Sequence, residues 1–171
     1  SCKVLSVGCG LGYIENILIR DYSENFDLYV SDFSSVSMRW LRQVISKDRI
    51  NNQSKGLRFE TIYMVALDYA IDEKGMIDFL MDLKASLLPE GKIIIVSATT
   101  YKRRVLESIR HMFKRIVKGI FELLKFRDRG KFWGWERHLE DYELVAKKSG
   151  FSISSVDSVG GCISYTLQQR I

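Results

Sequence analysis

The sequence feature that most constrains the fold is a glycine-rich turn near the start of the chain. The apolar run at residues 4–7 is typical of a buried parallel strand, and it leads directly into Gly8, Gly10 and Gly12. Because glycine has no Cβ, such a turn lets a ligand approach the backbone, and a following helix points its free N–H groups at the same place. Helical spacing places four apolar residues on one face of that helix: Ile14, Ile17, Leu18 and Tyr22.

A second apolar run, residues 28–30, ends in an acid. Asp32 stands twenty positions beyond Gly12, and a carboxylate at a strand tip can accept hydrogen bonds from both hydroxyls of a ribose. A dinucleotide fingerprint, G-x-G-x-x-G, would need glycine where this chain has Tyr13. Three interpretations of the glycine turn therefore remain. It binds a nucleotide-type ligand other than a dinucleotide, it binds a dinucleotide, or it binds no ligand. We favour the first.

Composition limits the class of protein. A chain of 171 residues that is 46% hydrophobic, with one proline, fits one folded domain rather than a disordered segment. No apolar stretch approaches the roughly 20 residues of a membrane-spanning helix. The three cysteines show no C-x-x-C spacing, so we expect neither a disulfide framework nor a metal site. A reduced, cytoplasmic setting is the simplest expectation.

The remaining patterns alternate between helix and strand. Ser34 or Ser35 can cap a helix, residues 59–66 read as a strand, and residues 74–88 read as a helix that Pro89-Glu90-Gly91 ends. The apolar residues expected on the buried side of the first of these helices are Val36, Trp40, Leu41, Val44 and Ile45.

The second half of the chain completes this pattern. Residues 92–96 form a strand, a helix runs from Leu139 to Gly150, and strands at 151–156 and 162–167 meet around a glycine pair. Alternation of this kind predicts a doubly wound, mostly parallel α/β sheet with right-handed crossovers.

Residues 4–12 together with Ser31-Asp32-Phe33-Ser34 resemble the first two motifs of the class I S-adenosylmethionine-dependent methyltransferases. Residues 87–95 resemble a later motif of that family, with Glu90 where the family usually has glycine. The resemblance, closest to small-molecule "type 11"-like members, implies a Rossmann-like sheet that a C-terminal antiparallel hairpin completes. It also implies S-adenosylmethionine as the cofactor.

The resemblance assigns the cofactor residues. The glycines would line the amino acid end of the cofactor, Asp32 would take the ribose hydroxyls, and Phe33 would lie against the adenine. The full set of expected cofactor-binding residues is Val7, Gly8, Cys9, Gly10, Gly12, Asp32, Phe33 and Leu67.

One element of the family is missing from the pattern. The family places a further strand between the second helix and the strand at residues 59–66, but only residues 51–57 are available here. We therefore expect a sheet that lacks one edge strand and a weaker adenine pocket.

Residues 101–137 form an insertion in the single domain, which otherwise spans residues 1–171. Apolar residues at helical spacing run from 105 to 124, and residues 101–131 carry eleven basic and three acidic side chains. The readings left open are a helical lid with a solvated basic face, peripheral contact of residues 101–127 with the anionic inner membrane surface, a dimer face, and nucleic acid contact. Contact with nucleic acid is not favoured, since nothing in the sequence resembles an RNA-binding module.

An aromatic and polar segment follows the basic stretch. Trp133, Trp135 and Arg137 are candidates to contact a substrate, because loop aromatics can stack on a flat molecule or close a pocket. The alternative is an apolar plug that anchors the insertion.

The resemblance implies that the tip of the strand at residues 59–66 faces the transferred methyl group. Asp68 and Tyr69 are therefore the candidates for positioning the acceptor, with His138 as a candidate base. Each also has a structural reading: Asp68 as a turn cap, Tyr69 in packing, and His138 as the start of a helix.

The predicted function is methyl transfer from S-adenosylmethionine to a small-molecule acceptor, with a hydroxyl group favoured and anionic or lipid-linked acceptors considered. The alternatives are a non-catalytic methyltransferase-like module that acts through its basic helix, an RNA methyltransferase, and a dinucleotide-dependent oxidoreductase.

Overall fold

A computed structural model of the chain describes residues 2–50, 56–97, 135, 137–159 and 161–170. Its centre is a six-stranded sheet in the order β2-β1-β3-β4-β6-β5. The strands are β1 (Cys2–Val7), β2 (Phe26–Ser31), β3 (Phe59–Val65), β4 (Leu87–Ser97), β5 (Phe151–Val159) and β6 (Cys162–Gln169). The first four strands are parallel, whereas β6 runs antiparallel to both β4 and β5. The prediction of a mostly parallel sheet with a C-terminal antiparallel hairpin is confirmed.

Helices cover both faces of this sheet. They are α1 (Tyr13–Tyr22), α2 (Ser35–Val44), α3 (Glu73–Ala85) and α4 (Leu139–Ser149). The larger core joins α3 and α4 to one face, where Leu80 and Val145 pack with Leu5, Ile62 and Ile93. A smaller core lies under α2 and consists of Val30, Leu41, Ile45 and Ile50. These layers bring the carboxyl ends of four parallel strands to one edge, where ligands bind in open α/β sheets.

The expected boundary between helix and strand near Pro89 is wrong. The α3 helix ends at Ala85, and Leu87 is already paired with Phe59 in β4. Leu87 is fully buried, and a residue before proline, here Leu88, is pushed towards extended backbone. The register between β3 and β4 shifts at this point, so the Pro-Glu-Gly stretch forms an irregularity inside β4 rather than a helix stop.

The expected buried faces of α1 and α2 are only partly correct. In α1 the buried side chain is Glu15, while Ile14 and Tyr22 are exposed. In α2, which Ser34 caps by accepting the Ser37 N–H, Leu41 and Ile45 are buried as expected. The three residues of that helix that are exposed instead are Val36, Trp40 and Val44. Their spacing of four places them on one stripe, opposite the side of α2 that faces the sheet.

The expected shortening of the sheet is visible on its β2 edge. Within the described residues, the only pairing on the outer side of β2 is a single parallel bridge between Val30 and Ile50. Ile50 also contributes to the small core under α2. One buried residue therefore covers the position where an additional strand would pair.

Candidate functional site

The glycine turn after β1 has three residues in the left-handed region of backbone space. Gly8, Gly10 and Gly12 have φ angles of 72°, 58° and 68°. A Cβ on Gly8 would lie 2.7 Å from Leu67 Cδ2, and one on Gly12 would lie 2.5 Å from Leu41 Cδ2. A Cβ on Gly10 would meet nothing within 4 Å. Two of the glycines therefore allow close packing, while Gly10 faces open space that a ligand can enter.

Asp32 joins the end of β2 to this turn. Its carboxylate accepts the Gly10 N–H at 2.8 Å through one oxygen and the Ser34 N–H at 2.7 Å through the other. A carboxylate oxygen has two acceptor sites, so each oxygen retains capacity for a hydroxyl donor. The side chain is thus held in one orientation at the same edge of the sheet as Val7 and Cys9.

A buried carboxylate that the sequence analysis did not select lies beneath the turn. Glu15, in the first turn of α1, is 3% exposed and accepts the Ser6 hydroxyl at 2.6 Å and the Tyr63 hydroxyl at 3.0 Å. Burial raises the pKa of Tyr63, and the neighbouring Glu15 raises it further. The signal that could have found Glu15 is its position: an acid three residues after Gly12, where the following helix turns towards the sheet.

The Cys9 thiol is partly buried, and two carboxylates act on it. Burial raises its pKa to about 12, and Glu15 and Asp32 raise it as well. Its sulfur is 3.5 Å from the Ser31 carbonyl oxygen. Cys9 is therefore a protonated thiol at neutral pH and a poor nucleophile.

Phe33 follows Asp32 and is largely exposed. The edge of its ring meets Phe79 of α3, with 5.4 Å between the ring centroids. This contact holds an exposed aromatic side chain next to the carboxylate of Asp32. Phe79 is a second residue that the sequence analysis did not select.

Asp68, at the end of β3, is inside the protein. It is 1% exposed, and its carboxylate accepts hydrogen bonds from Ser97 at 2.8 Å and from the Tyr142 hydroxyl. Burial raises the pKa of Tyr142, and the Asp68 charge raises it further. In this arrangement the carboxylate ties the end of β3 to β4 and α4.

Arg137 fastens the end of the insertion to the same loop. Its guanidinium is buried and donates to the carbonyl oxygens of Asp68 and Ile71. Nearby, the backbone N–H of Trp135 donates to the Tyr69 carbonyl oxygen at 2.7 Å. Trp135 and Tyr69 are 44% and 49% exposed. Arg137 thus faces the protein interior, and two exposed aromatic residues are held side by side along the backbone.

His138 begins α4. Its backbone N–H donates to the Asp141 carboxylate at 2.8 Å, which is the capping arrangement expected at a helix start. Trp133 and the basic insertion at residues 101–131 lie outside the described residues, so the expectations for them are not tested.

No group of three or more His, Cys, Asp or Glu side chains in the part of the chain that the structure describes could hold a metal ion. Among the same residues, no helix is both long and apolar enough to cross a membrane.

No protein-family model matches the sequence, and no curated protein matches it either. Solved structures do match. The mitomycin 7-O-methyltransferase MmcR has a TM-score of 0.71 at 11% identity, over 99% of this chain and 49% of its own. The O-methyltransferase NcsB1 was solved with S-adenosylmethionine and 2-hydroxy-5-methyl naphthoic acid. It has a TM-score of 0.68 at 15% identity, and the match covers 98% of this chain and 49% of the NcsB1 chain. LepI, solved with S-adenosylmethionine, has a TM-score of 0.71 at 12% identity, and the match covers 99% of this chain and 43% of the LepI chain.

These likenesses define the fold. The chain has the Rossmann-like fold of class I S-adenosylmethionine-dependent methyltransferases, and it spans about half the length of the solved chains that it matches. At 11–15% identity they do not define a subfamily, and the expected "type 11" grouping stays a prediction.

Proposed function

We propose that the chain binds S-adenosylmethionine across the glycine turn and the end of β2. The observation that carries this proposal is the pairing of the Asp32 carboxylate with the Gly10 N–H beside the open face of Gly10. Asp32 would accept the ribose hydroxyls, and the exposed ring of Phe33 would lie against the adenine. Val7, Gly8, Cys9, Gly12 and Leu67 would form the remaining wall.

The proposed reaction is methyl transfer to a hydroxyl group of a small aromatic acceptor. The exposed side chains of Tyr69 and Trp135 support this proposal, because a backbone hydrogen bond joins the two residues and each ring can stack on a flat molecule. The fold neighbours MmcR and NcsB1 are O-methyltransferases, and NcsB1 was solved with a hydroxynaphthoic acid.

Bound S-adenosylmethionine supplies an electrophilic methyl group, so the chain has to hold the acceptor oxygen in line with it. We assign the acceptor contact to Tyr69 and Trp135. Asp68 and Arg137, both buried, are positioning residues that fix the loop carrying Tyr69. His138, at the start of α4, is the candidate to take the hydroxyl proton.

A second candidate function is cofactor binding without methyl transfer. One neighbour with a TM-score of 0.70 is described as a pericyclic reaction enzyme, and LepI was solved with S-adenosylmethionine. The fold therefore also occurs in a protein whose name describes chemistry other than methylation. A non-catalytic module would give the same result: binding of the cofactor with no turnover.

The two functions separate in one experiment. The protein is incubated with S-adenosylmethionine carrying a labelled methyl group and a set of phenols and hydroxynaphthoates, and label in the organic phase is counted. The proposed reaction predicts transfer that Tyr69→Ala and Trp135→Ala each reduce at least tenfold through KM for the acceptor, with cofactor affinity unchanged. Tight cofactor binding without label transfer to any acceptor would favour the second function.

A further inference from the structure

Glu15 is a buried carboxylate for which the described structure offers only neutral partners. Its two hydrogen bonds come from the hydroxyls of Ser6 and Tyr63, and both reach the same carboxylate oxygen. Among the described residues, no Lys, Arg or His side chain forms an ion pair with it. Burying an acid without a cation is costly, so a residue in this position requires an explanation.

The position of Glu15 relates it to the glycine turn. Ser6 is the next-to-last residue of β1, and Tyr63 is its partner in β3, so the carboxylate lies just below the carboxyl edge of the sheet. Cys9, inside the turn, interacts with both Glu15 and Asp32, and each carboxylate raises the pKa of its thiol. The turn therefore lies in a negative field from two carboxylates.

We propose that Glu15 makes this site prefer the sulfonium cofactor over its thioether product. This inference rests on the proposed function. S-adenosylmethionine carries one positive charge more than S-adenosylhomocysteine, and the two molecules are otherwise alike in their adenosine and amino acid parts. When it is ionised, Glu15 is a negative charge beneath the turn that attracts the cofactor more than the product, and burial protects that attraction from screening by salt.

Asp32 and Glu15 have different proposed roles in ligand binding. Asp32 lies where the ribose is proposed to bind, and a ribose is common to cofactor and product. Glu15 is covered by protein and acts through its field rather than by contact. Removing the Glu15 charge is therefore expected to change the ratio of the two affinities, whereas loss of Asp32 would weaken both ligands together.

The test is calorimetric titration of the wild-type chain and of Glu15→Gln with S-adenosylmethionine and with S-adenosylhomocysteine. Glutamine keeps an oxygen that can accept from Ser6 and Tyr63, so the variant removes the charge and retains the shape. We expect the affinity ratio of cofactor to product to fall on the order of fivefold in Glu15→Gln.

A control variant separates the Glu15 charge from a remote one. Glu60→Gln removes a carboxylate near the opposite end of β3, where it accepts the Lys3 N–H, and it is expected to keep the wild-type ratio. An unchanged ratio in Glu15→Gln, with both ligands still bound, overturns this inference and leaves the proposed function standing. An equal fall in Glu60→Gln also overturns it, since the effect would then not belong to Glu15. Failure of the wild-type chain to bind either ligand overturns the proposed function itself.

Discussion

The Asp32 carboxylate accepts the Gly10 N–H at 2.8 Å, which links the tip of β2 to the middle of the turn after β1. The two residues are 22 positions apart in sequence and come from neighbouring parallel strands. A single side chain thus fixes the shape of the turn and also presents acceptor oxygens beside its open face. Ligand binding and local order are expected to depend on it together.

Asp32→Ala should abolish measurable binding of S-adenosylmethionine while the fold persists. The variant leaves two N–H groups without their acceptor at a partly exposed site, so the free energy of unfolding should fall by about 1–2 kcal/mol. Calorimetry and urea unfolding measure the two effects. Asp82→Ala, an exposed acid on α3, is the matched control and should change neither quantity. Wild-type affinity in Asp32→Ala would contradict the assignment.

Gly10→Ala should weaken cofactor binding more than it weakens the fold. The new methyl group meets no protein atom within 4 Å, so the cost in stability is the left-handed backbone strain, about 1 kcal/mol. The same methyl group occupies the open face where the cofactor is proposed to lie. Gly161→Ala is the matched control, since Gly161 has a φ of 81° and equally open space in the β5–β6 turn. If both variants bind the cofactor normally, the open face of Gly10 is not the site.

Gly12→Ala should chiefly damage the fold. Its Cβ would lie 2.5 Å from Leu41 Cδ2, in the small core under α2, in addition to the backbone strain. Overpacking and strain together should lower the free energy of unfolding by about 2–4 kcal/mol. Chemical denaturation of Gly12→Ala beside Gly10→Ala measures the difference. Equal losses would mean that Leu41 moves aside without cost.

Tyr142→Phe should destabilise the protein without entering the ligand site. The change removes a hydroxyl that donates to the buried Asp68 carboxylate, which then depends on Ser97. Loss of one partner of a buried charged hydrogen bond costs about 1–3 kcal/mol. Unfolding in urea gives the loss, and calorimetry should show wild-type cofactor affinity. A variant as stable as wild type would show that the Tyr142–Asp68 bond makes no net contribution.

Stability should decline at alkaline pH partly because of Cys9. The folded state raises the pKa of this thiol from 9.0 to about 12, so the folded chain binds the proton more tightly than the unfolded chain. The resulting stability is fully present below about pH 9 and is lost as pH rises towards 12. The free energy of unfolding, measured in urea between pH 8 and 11, should therefore fall less steeply with pH for Cys9→Ala than for the wild-type chain. Identical curves for Cys9→Ala and the wild-type chain would contradict the shift.

The order of elements could be predicted because local patterns determine it. The strand at residues 4–7, the glycine turn and the acid at position 32 are contiguous features, and the sheet that they predicted is present. The errors lie where tertiary packing decides. Leu87 enters β4 because its side chain is buried against the sheet, which helical spacing alone does not show. Trp40 is exposed because α2 presents Leu41 and Ile45 to the sheet instead.

The candidate site was predictable only in its contiguous part. The turn and Asp32 were selected from spacing, and the structure brings them into contact. Glu15 was missed because its partners Ser6 and Tyr63 come from two different strands, and Tyr63 is 48 positions away. The burial of Asp68 and Arg137 depends on α4 and on the loop after β3, which no local pattern reveals.

The central claim is that this chain binds S-adenosylmethionine at the turn held by Asp32. Calorimetric titration of the wild-type chain with S-adenosylmethionine, and with NAD in parallel, tests it most directly. The account predicts micromolar binding of S-adenosylmethionine, no binding of NAD, and loss of the signal in Asp32→Ala. Absence of S-adenosylmethionine binding, or equal binding of NAD, would contradict it.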